Sequence, residues 1–144
     1  MEVWEVIACE SIRNLATRYN SNGDAGRFSQ VIALFAPDAV MELTGRTYSG
    51  HDEILTIFTG TQSQVRGGGA PSYVRHFVAT HQIDLVDREH ASGRAYFAVI
   101  SGTGLDHWGR YIDRYRVVGG DWRFAHRRVV VDGQSLTSIF PRLP

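Results

Sequence analysis

The segment "GDAGRF" places the carboxylate of Asp24 between two stretches that have the apolar periodicity of helices. An aspartate just before a helix is a common N-cap, because its oxygens accept hydrogen bonds from the free amides of the first turn. The same carboxylate at the mouth of a cavity could instead hold an imidazole and take part in proton transfer. The residues alone leave both roles open for Asp24.

Two other side chains are suited to acid–base chemistry. Tyr19 closes the apolar stripe of the first helix, which predicts a core aromatic with its hydroxyl near solvent. His76 alternates with Val78 and Thr80 on one face of a strand, which puts His81 on the opposite, outer face. A half-buried structural histidine is the competing interpretation for both histidines.

A later strand carries polar groups at alternate positions. Tyr111, Asp113 and Tyr115 share one of its faces, and Asp113 is the best candidate for a second carboxylate. Its competing role is a solvated cross-strand ion pair with Arg110 or Arg114. No two histidines have the i, i+2 spacing of metal ligands on a strand, so the sequence predicts no metal site.

Several classes of chemistry are excluded by residue type. The chain has no lysine, which removes Schiff-base chemistry and a P-loop lysine. Cys9 is the single cysteine and can form no internal disulfide. The glycines in "SGTGLDHWG" lack the spacing of a dinucleotide fingerprint and predict a flexible loop.

Composition limits the partners and the location. The formal net charge is zero, which argues against nucleic acid and anionic membranes as partners. No window is apolar for long enough to be a membrane span or a signal peptide, so we expect a cytoplasmic protein. With 144 residues, 43% of them hydrophobic, the chain is expected to form one domain over 1–144.

Three helices must precede the strands that carry these groups. Apolar steps of three and four predict a first helix that ends near Asn20 and a second that includes Phe28 and Phe35 and stops at "APD". "AVMEL" predicts a short strand and "RTYSG" a turn. Ser49 and Asp52 form a capping box for a third helix, which dissolves into a mobile loop, "RGGGAPS". Its inward residues are Ile54, Ile57, Phe58 and Thr61.

After Pro71 the pattern becomes alternating. Four runs rich in β-branched and aromatic residues predict strands over Val74 to Val86, His90 to Ser101, Gly109 to Val118 and Trp122 to Val131. Helices followed by an antiparallel meander are typical of an α+β fold, in which a curved sheet wraps over the helices as a cone with a cavity. "SLTSIFPRLP" is expected to be a C-terminal tail.

The chain resembles the SnoaL-like family of the nuclear-transport-factor-2-like superfamily over nearly its whole length. The segments that carry the resemblance are "RYNSNGDAGRFSQVIALFAPDAV", "YSGHDEI", "RHFVATHQID" and "GRYIDRYRVVGGDWRFAHRRVV". The superfamily is similar to scytalone dehydratase, ketosteroid isomerase, polyketide cyclases, bile-acid dehydratases and limonene epoxide hydrolase, and it also holds non-catalytic binding modules.

The resemblance implies a catalytic pair and an assisting tyrosine. Asp24 of "GDAGRF" takes the place of the family aspartate and His76 of "RHFV" that of its histidine, while Tyr19 would stabilise an oxyanion. A third polar group of the family falls near Val99 or Ser101, where this chain has no strong acid–base group.

Other residues are assigned to the ligand pocket. They are Tyr111, Asp113, Val99 and Phe58. The resemblance implies a cofactor-independent dehydratase, isomerase or cyclase that acts on a hydrophobic oxygenated small molecule such as a polyketide, steroid or terpenoid. A non-catalytic binding or dimerisation module of the same fold is the alternative. An epoxide hydrolase is a weaker one, since it would need Asp24 and Asp113 bridged by an arginine.

The strands also predict a homodimer. Apolar or aromatic residues occupy both faces, with Tyr96, Ala98 and Ile100 opposite Phe97 and Val99, and helices can cover only one face. The outer face is therefore expected to pair with a second copy.

Overall fold

The structure, a computed structural model, describes residues 1–66 and 73–142. Within these ranges the chain forms three helices and six strands. The helices are α1 (Val3–Asp24), α2 (Phe28–Ile32) and α3 (Gly50–Arg66), and the strands are β1 (Phe35–Leu43), β2 (Arg46–Ser49), β3 (Val74–Leu85), β4 (His90–Ser101), β5 (Gly104–Val118) and β6 (Asp121–Gln134). The loop predicted for "GGGAPS" lies outside the described residues.

Helix α1 is longer than the sequence predicts. It begins with a capping box, in which the Glu2 amide donates to Glu5 at 2.6 Å, and it continues through "NSNGD" to Asp24. Tertiary contacts sustain this polar end, since Asn20 accepts a hydrogen bond from Tyr111 at 3.3 Å and Asn22 accepts one from Arg27 at 2.9 Å. These bonds offset the weak helix propensity of asparagine and set where the helix stops.

The segment after α2 differs from the prediction. Phe35 begins strand β1 instead of ending a helix, because its backbone pairs with Phe124 on β6 and the two rings lie 5.2 Å apart. The predicted turn "RTYSG" forms strand β2. Helix α3 is capped by Glu53 rather than Asp52, as the Ser49 amide donates to the Glu53 carboxylate at 2.7 Å.

The α+β fold with a curved, unclosed sheet is confirmed. The strand order is β2-β1-β6-β5-β4-β3, and the pairs are antiparallel except for β1 with β6, which run parallel. The four predicted long strands are present, and Gly119 and Gly120, with φ of 60° and 86°, form the tight β5–β6 hairpin.

Strand β5 corrects the prediction at "GTGLDHW". The strand begins at Gly104, so "LDHW" is strand rather than flexible loop. The β4–β5 register shifts between Val99 and Ile100, and this bulge leaves Asp106 without a partner on β4. Such bulges bend a strand and redirect its side chains.

Candidate active site

The concave face of the sheet and helices α1 and α3 enclose a cavity of about 510 Å³. Its wall is mostly apolar and includes Phe28, Met41, Ile57, Phe58, Phe97, Val129, Val131 and Phe140. Its polar groups include Tyr19, Asn20, Asp24, His76, His107 and Tyr111. A volume of this size with a few polar groups on an apolar wall suits a hydrophobic small molecule that bears oxygen.

Asp24 and His76 meet at the rim of this cavity. Nδ1 of His76 donates to Oδ1 of Asp24 at 2.6 Å, and the backbone amide of His76 donates to Oδ2 at 2.9 Å. The two contacts hold both the ring and its strand against the end of α1. Because Nδ1 is engaged, Nε2 is the imidazole atom left to exchange a proton, and within the described residues it makes no hydrogen bond.

The geometry also decides between the two roles open for Asp24. Asp24 is the last residue of α1, and α2 begins after Arg27 with no side-chain cap. Both carboxylate oxygens are directed to His76, across 52 residues of sequence. Asp24 therefore joins α1 to β3 and does not cap α2.

Tyr19 lies deeper than the sequence predicts. The residue is 6% exposed, and its ring packs edge-on against Phe58 at 5.8 Å and Phe124 at 5.5 Å. Burial raises the pKa of its hydroxyl, although the nearby Arg127 opposes this. Tyr19 borders the cavity as a neutral hydroxyl, which is the form that can donate a hydrogen bond.

Tyr111 and Phe58 also line the cavity. The Tyr111 ring stacks on Phe97 with centroids 4.6 Å apart, and burial raises the pKa of its hydroxyl. Phe58 projects from α3 beside Phe28, at 5.8 Å. These rings make flat walls on which a ring compound can stack.

Asp113 and Val99 do not border the cavity. Asp113 is 2% exposed, and its oxygens accept hydrogen bonds from Arg127 Nε and Nη2 at 2.9 and 2.8 Å and from the Tyr115 hydroxyl at 2.9 Å. The carboxylate thus neutralises a buried guanidinium. Val99 is fully buried beneath the wall. The arginine-bridged pair of Asp24 and Asp113 that an epoxide hydrolase requires is not formed, since Asp24 binds His76 instead.

A second aspartate–histidine pair, which the sequence analysis missed, lies on β5. Nδ1 of His107 donates to Oδ1 of Asp106 at 2.8 Å, and His107 borders the cavity. Neighbours on a regular strand point to opposite faces, so the adjacent letters "DH" do not predict a contact. The bulge at Asp106 lets the two side chains meet. Apolar Leu105 and aromatic Trp108 were a weak signal for a longer strand, but nothing in "LDHW" marks the bulge.

The Asp106 carboxylate is fully buried and heavily hydrogen-bonded. Besides His107 it accepts from the Ser138 hydroxyl at 2.6 Å and the Ile139 amide at 2.8 Å. Burial disfavours its ionised form, but these donors outweigh burial and lower the pKa of Asp106. Burial lowers the pKa of His107; the carboxylate opposes this, and the charge of His76 adds to the decrease.

The predicted tail is part of the site. Residues 135–142 fold back so that Phe140 borders the cavity and packs edge-on against His107, with centroids 5.0 Å apart. Gln134 fixes the segment by donating to the Phe140 carbonyl at 3.0 Å. The C-terminal segment therefore holds Asp106 in place and contributes Phe140 to the cavity wall.

His81 faces the interior, so the expectation that it lies on the outer face of the sheet is wrong. The β3–β4 register shifts between Ala79 and Gln82, and Thr80 has a φ of 53°. This irregularity turns His81 inward, where it is half-buried with Nε2 3.2 Å from the Tyr115 hydroxyl. Burial lowers its pKa.

Two further findings concern the described residues alone. In 1–66 and 73–142 no three histidine, cysteine or acidic side chains cluster in a way that could hold a metal ion. Over the same part of the chain, no helix has the length and apolar character needed to cross a membrane.

The family follows from a match to the SnoaL-like domain over residues 4–128. Since this match spans most of the chain, the protein belongs to the SnoaL-like domain family. No curated protein sequence matches the chain.

Solved structures show the same fold. A candidate scytalone dehydratase from Novosphingobium aromaticivorans is 19% identical with a TM-score of 0.81, over 94% of this chain and 91% of that one. LinA is 16% identical with a TM-score of 0.79, over 99% and 98%. A cystatin-like protein of unknown function from Nostoc punctiforme is 21% identical with a TM-score of 0.74, over 85% and 89%. At such identities the likeness establishes the fold and not the activity.

Proposed function

We propose that the protein is an acid–base enzyme that works without a cofactor on a hydrophobic oxygenated small molecule. The reaction is an elimination of water or the related double-bond isomerisation or cyclisation. The observation that carries the proposal is the Asp24–His76 pair, which leaves Nε2 of the imidazole to meet a ligand in a cavity with an apolar wall. The family includes dehydratases, which supports the same reaction class.

The chemistry follows from which atoms are engaged. Asp24 fixes the tautomer of His76 and stabilises the imidazolium form, so Nε2 can remove a proton next to a carbonyl or deliver one to a departing hydroxyl. Tyr19 donates to the oxygen on which negative charge develops. The apolar wall of the cavity strengthens these interactions in the transition state.

The test uses compounds from which elimination of water or double-bond isomerisation creates a conjugated enone. A panel of ring-containing β-hydroxyketones and β,γ-unsaturated ketones of steroid size is incubated with the protein, and ultraviolet absorbance reports conjugation. We expect turnover of at least one compound and a loss of about a hundredfold or more in His76→Gln.

The matched control is His90→Gln. His90 also has Nδ1 bonded to an aspartate, Asp87, at 3.0 Å, but it is exposed and does not border the cavity. This variant should keep wild-type turnover. Binding of the compounds without turnover of any of them would favour the alternative, a non-catalytic ligand-binding module.

A further inference from the structure

Two imidazoles, each tied to its own carboxylate, flank the same aromatic ring in the cavity. The Phe97 ring centroid lies 6.4 Å from that of His76 and 5.9 Å from that of His107. Each histidine donates from Nδ1 to an aspartate, so each presents Nε2 as its remaining proton-exchange atom. Within the described part of the chain, Nε2 of His107 makes no hydrogen bond.

From this geometry we infer that Asp106–His107 is a second acid–base pair of the active site, which acts on the same substrate as His76. The inference rests on the proposed function and deepens it. The substrate class that this inference implies is a ring compound with a carbonyl group and a hydroxyl leaving group on the β carbon. Two proton-exchange atoms are needed because the proton is removed at one position of the ligand and delivered at another.

The other hydrogen-bond donors to Asp106 argue against a merely structural role for the Asp106–His107 pair. Ser138 and Ile139 already satisfy this carboxylate, so Asp106 does not need an imidazole for its own burial. His107 lies opposite Val99 and continues the inward alternation of Tyr111, so it borders the cavity, and the bulge at Asp106 turns that carboxylate towards it. The arrangement fixes a histidine and its tautomer at the place where a ligand binds.

Electrostatic repulsion between His76 and His107 favours different roles, acid and base, for the two imidazoles. Titratable groups that face His107 are Asp106 on its own strand, His76 on β3 and, through His76, Asp24 on α1; Tyr111 on β5 stays neutral because burial raises its pKa. A charged His76 disfavours a second charge on His107. Charge on one imidazole therefore disfavours charge on the other, which suits one of them to act as acid while the other acts as base.

The step is balanced with His107 as base and His76 as acid. Nε2 of His107 takes the proton next to the carbonyl, the C–H electron pair forms the double bond, and the C–O bond breaks. The departing oxygen takes a proton from Nε2 of His76 and leaves as water. His107 ends charged and His76 neutral, and one proton returns from His107 to His76 through solvent.

The experiment measures turnover of the same panel of β-hydroxyketones and β,γ-unsaturated ketones. The variants are His107→Gln and Asp106→Asn, compared with His76→Gln and the His90→Gln control. We expect His107→Gln to lose about a hundredfold in kcat. In Asp106→Asn the imidazole lacks its carboxylate partner, so the acid limb of the kcat–pH profile should move to lower pH. A merely structural pair would leave that limb in place.

The outcomes separate the two proposals. Loss of turnover in His76→Gln with normal turnover in His107→Gln overturns this inference alone. Absence of turnover in the wild-type protein overturns the proposed function.

A second measurement is independent of turnover and of variant folding: 2-naphthol is added to the wild-type protein and the nitrogen-15 shifts of the imidazoles are followed. A shift of His107 Nε2 supports its contact with the ligand oxygen, and an unchanged signal overturns it.

Discussion

Asp24 and Asp113 lie at opposite ends of the concave face, and each accepts two hydrogen bonds from one basic residue. Asp113 and Arg127 have side chains that are 0% and 1% exposed, whereas those of Asp24 and His76 are 13% and 24% exposed. Arg127 cannot lose its proton in a protein, so the sealed end holds a fixed ion pair. At the open end the partner is a histidine with an unengaged nitrogen beside a cavity. A titratable partner with access to a ligand thus distinguishes the chemical pair from the structural one.

The convex side of the sheet differs between the same two ends. Behind the open end, Phe77 and Tyr96 are 61% and 57% exposed. Behind the sealed end, β5 and β6 present the exposed charges of Arg114 and Arg128. The outer surface therefore presents large apolar side chains at Phe77 and Tyr96 and charged side chains at Arg114 and Arg128.

The largest effect is expected at the sealed end. Asp113→Ala leaves the guanidinium of Arg127 buried without its countercharge, and Nη1 of Arg127 already has no partner among the described residues. Breaking a buried pair in this way should lower the free energy of unfolding by about 3–5 kcal/mol, measured by urea denaturation.

The matched control for Asp113 is Asp132→Ala, which breaks the exposed Arg110–Asp132 pair with its three hydrogen bonds. A pair that is nearly half exposed should contribute about 0.2–1 kcal/mol. Equal losses in the two variants would contradict the distinction between sealed and open environments.

At the open end the corresponding change should affect turnover more than stability. Asp24→Asn keeps an oxygen for Nδ1 of His76 but loses the charge that stabilises the imidazolium, so kcat should fall about a hundredfold, or about 2.7 kcal/mol. Unfolding should change by only about 1 kcal/mol, for the lost acceptor of the His76 amide.

A double variant checks that Asp24 acts through His76. Residues that act as a unit are not additive, so Asp24→Asn combined with His76→Ala should be hardly slower than His76→Ala alone. Additive losses would mean that Asp24 has a role of its own in the site.

A further prediction concerns the convex side of the sheet. We propose that the chain forms a homodimer through the apolar surface at Phe77 and Tyr96, because that surface has no cover in the described chain. Tyr96→Asp should weaken dimerisation by about tenfold or more in sedimentation experiments. Arg128→Asp, behind the sealed end, is the control. A monomeric wild-type protein at micromolar concentration would contradict the proposal.

The sequence predicts the helices and strands better than it predicts the contacts of the candidate site. Alternation and helical periodicity predict the strands and helices, since those patterns are local. The Asp24–His76 contact spans 52 residues and came from the resemblance, not from periodicity. His107 was missed because one bulge changes the face of its neighbour, and a bulge depends on pairing with β4 that no local pattern records.

Tertiary contacts explain the other differences. The end of α1 is helical because Asn20 and Asn22 find partners in Tyr111 and Arg27, which lie elsewhere in the chain. The inward turn of His81 likewise depends on a register shift against β4. Propensity gives only a weak preference in such segments, and long-range bonds decide the result.

The smallest expected effect lies between the two ends, at His81. The Tyr115 hydroxyl donates its proton to Asp113, so Nε2 of His81 must donate to the Tyr115 oxygen. Burial lowers the pKa of His81 in the folded state, and the nearby Arg127 adds to this while Asp113 opposes it. The unfolded chain therefore binds the proton more readily than the folded chain does.

This difference gives stability a defined dependence on pH. The contribution of His81 is fully present above the unfolded pKa of about 6.5 and is lost as pH falls below that value towards the folded pKa. His81→Gln cannot bind the proton in either state, so its free energy of unfolding should decrease less than that of the wild type between about pH 7 and pH 5. Urea denaturation at stepped pH measures both slopes, and the interval from about pH 7.5 to 8.5 is the internal control, because the imidazole is neutral there in both states. His107 has a pKa lowered in the same direction and is unchanged in the variant, so part of the slope should remain. Identical slopes for the two proteins would show that the inward turn of His81 has no effect on its proton affinity.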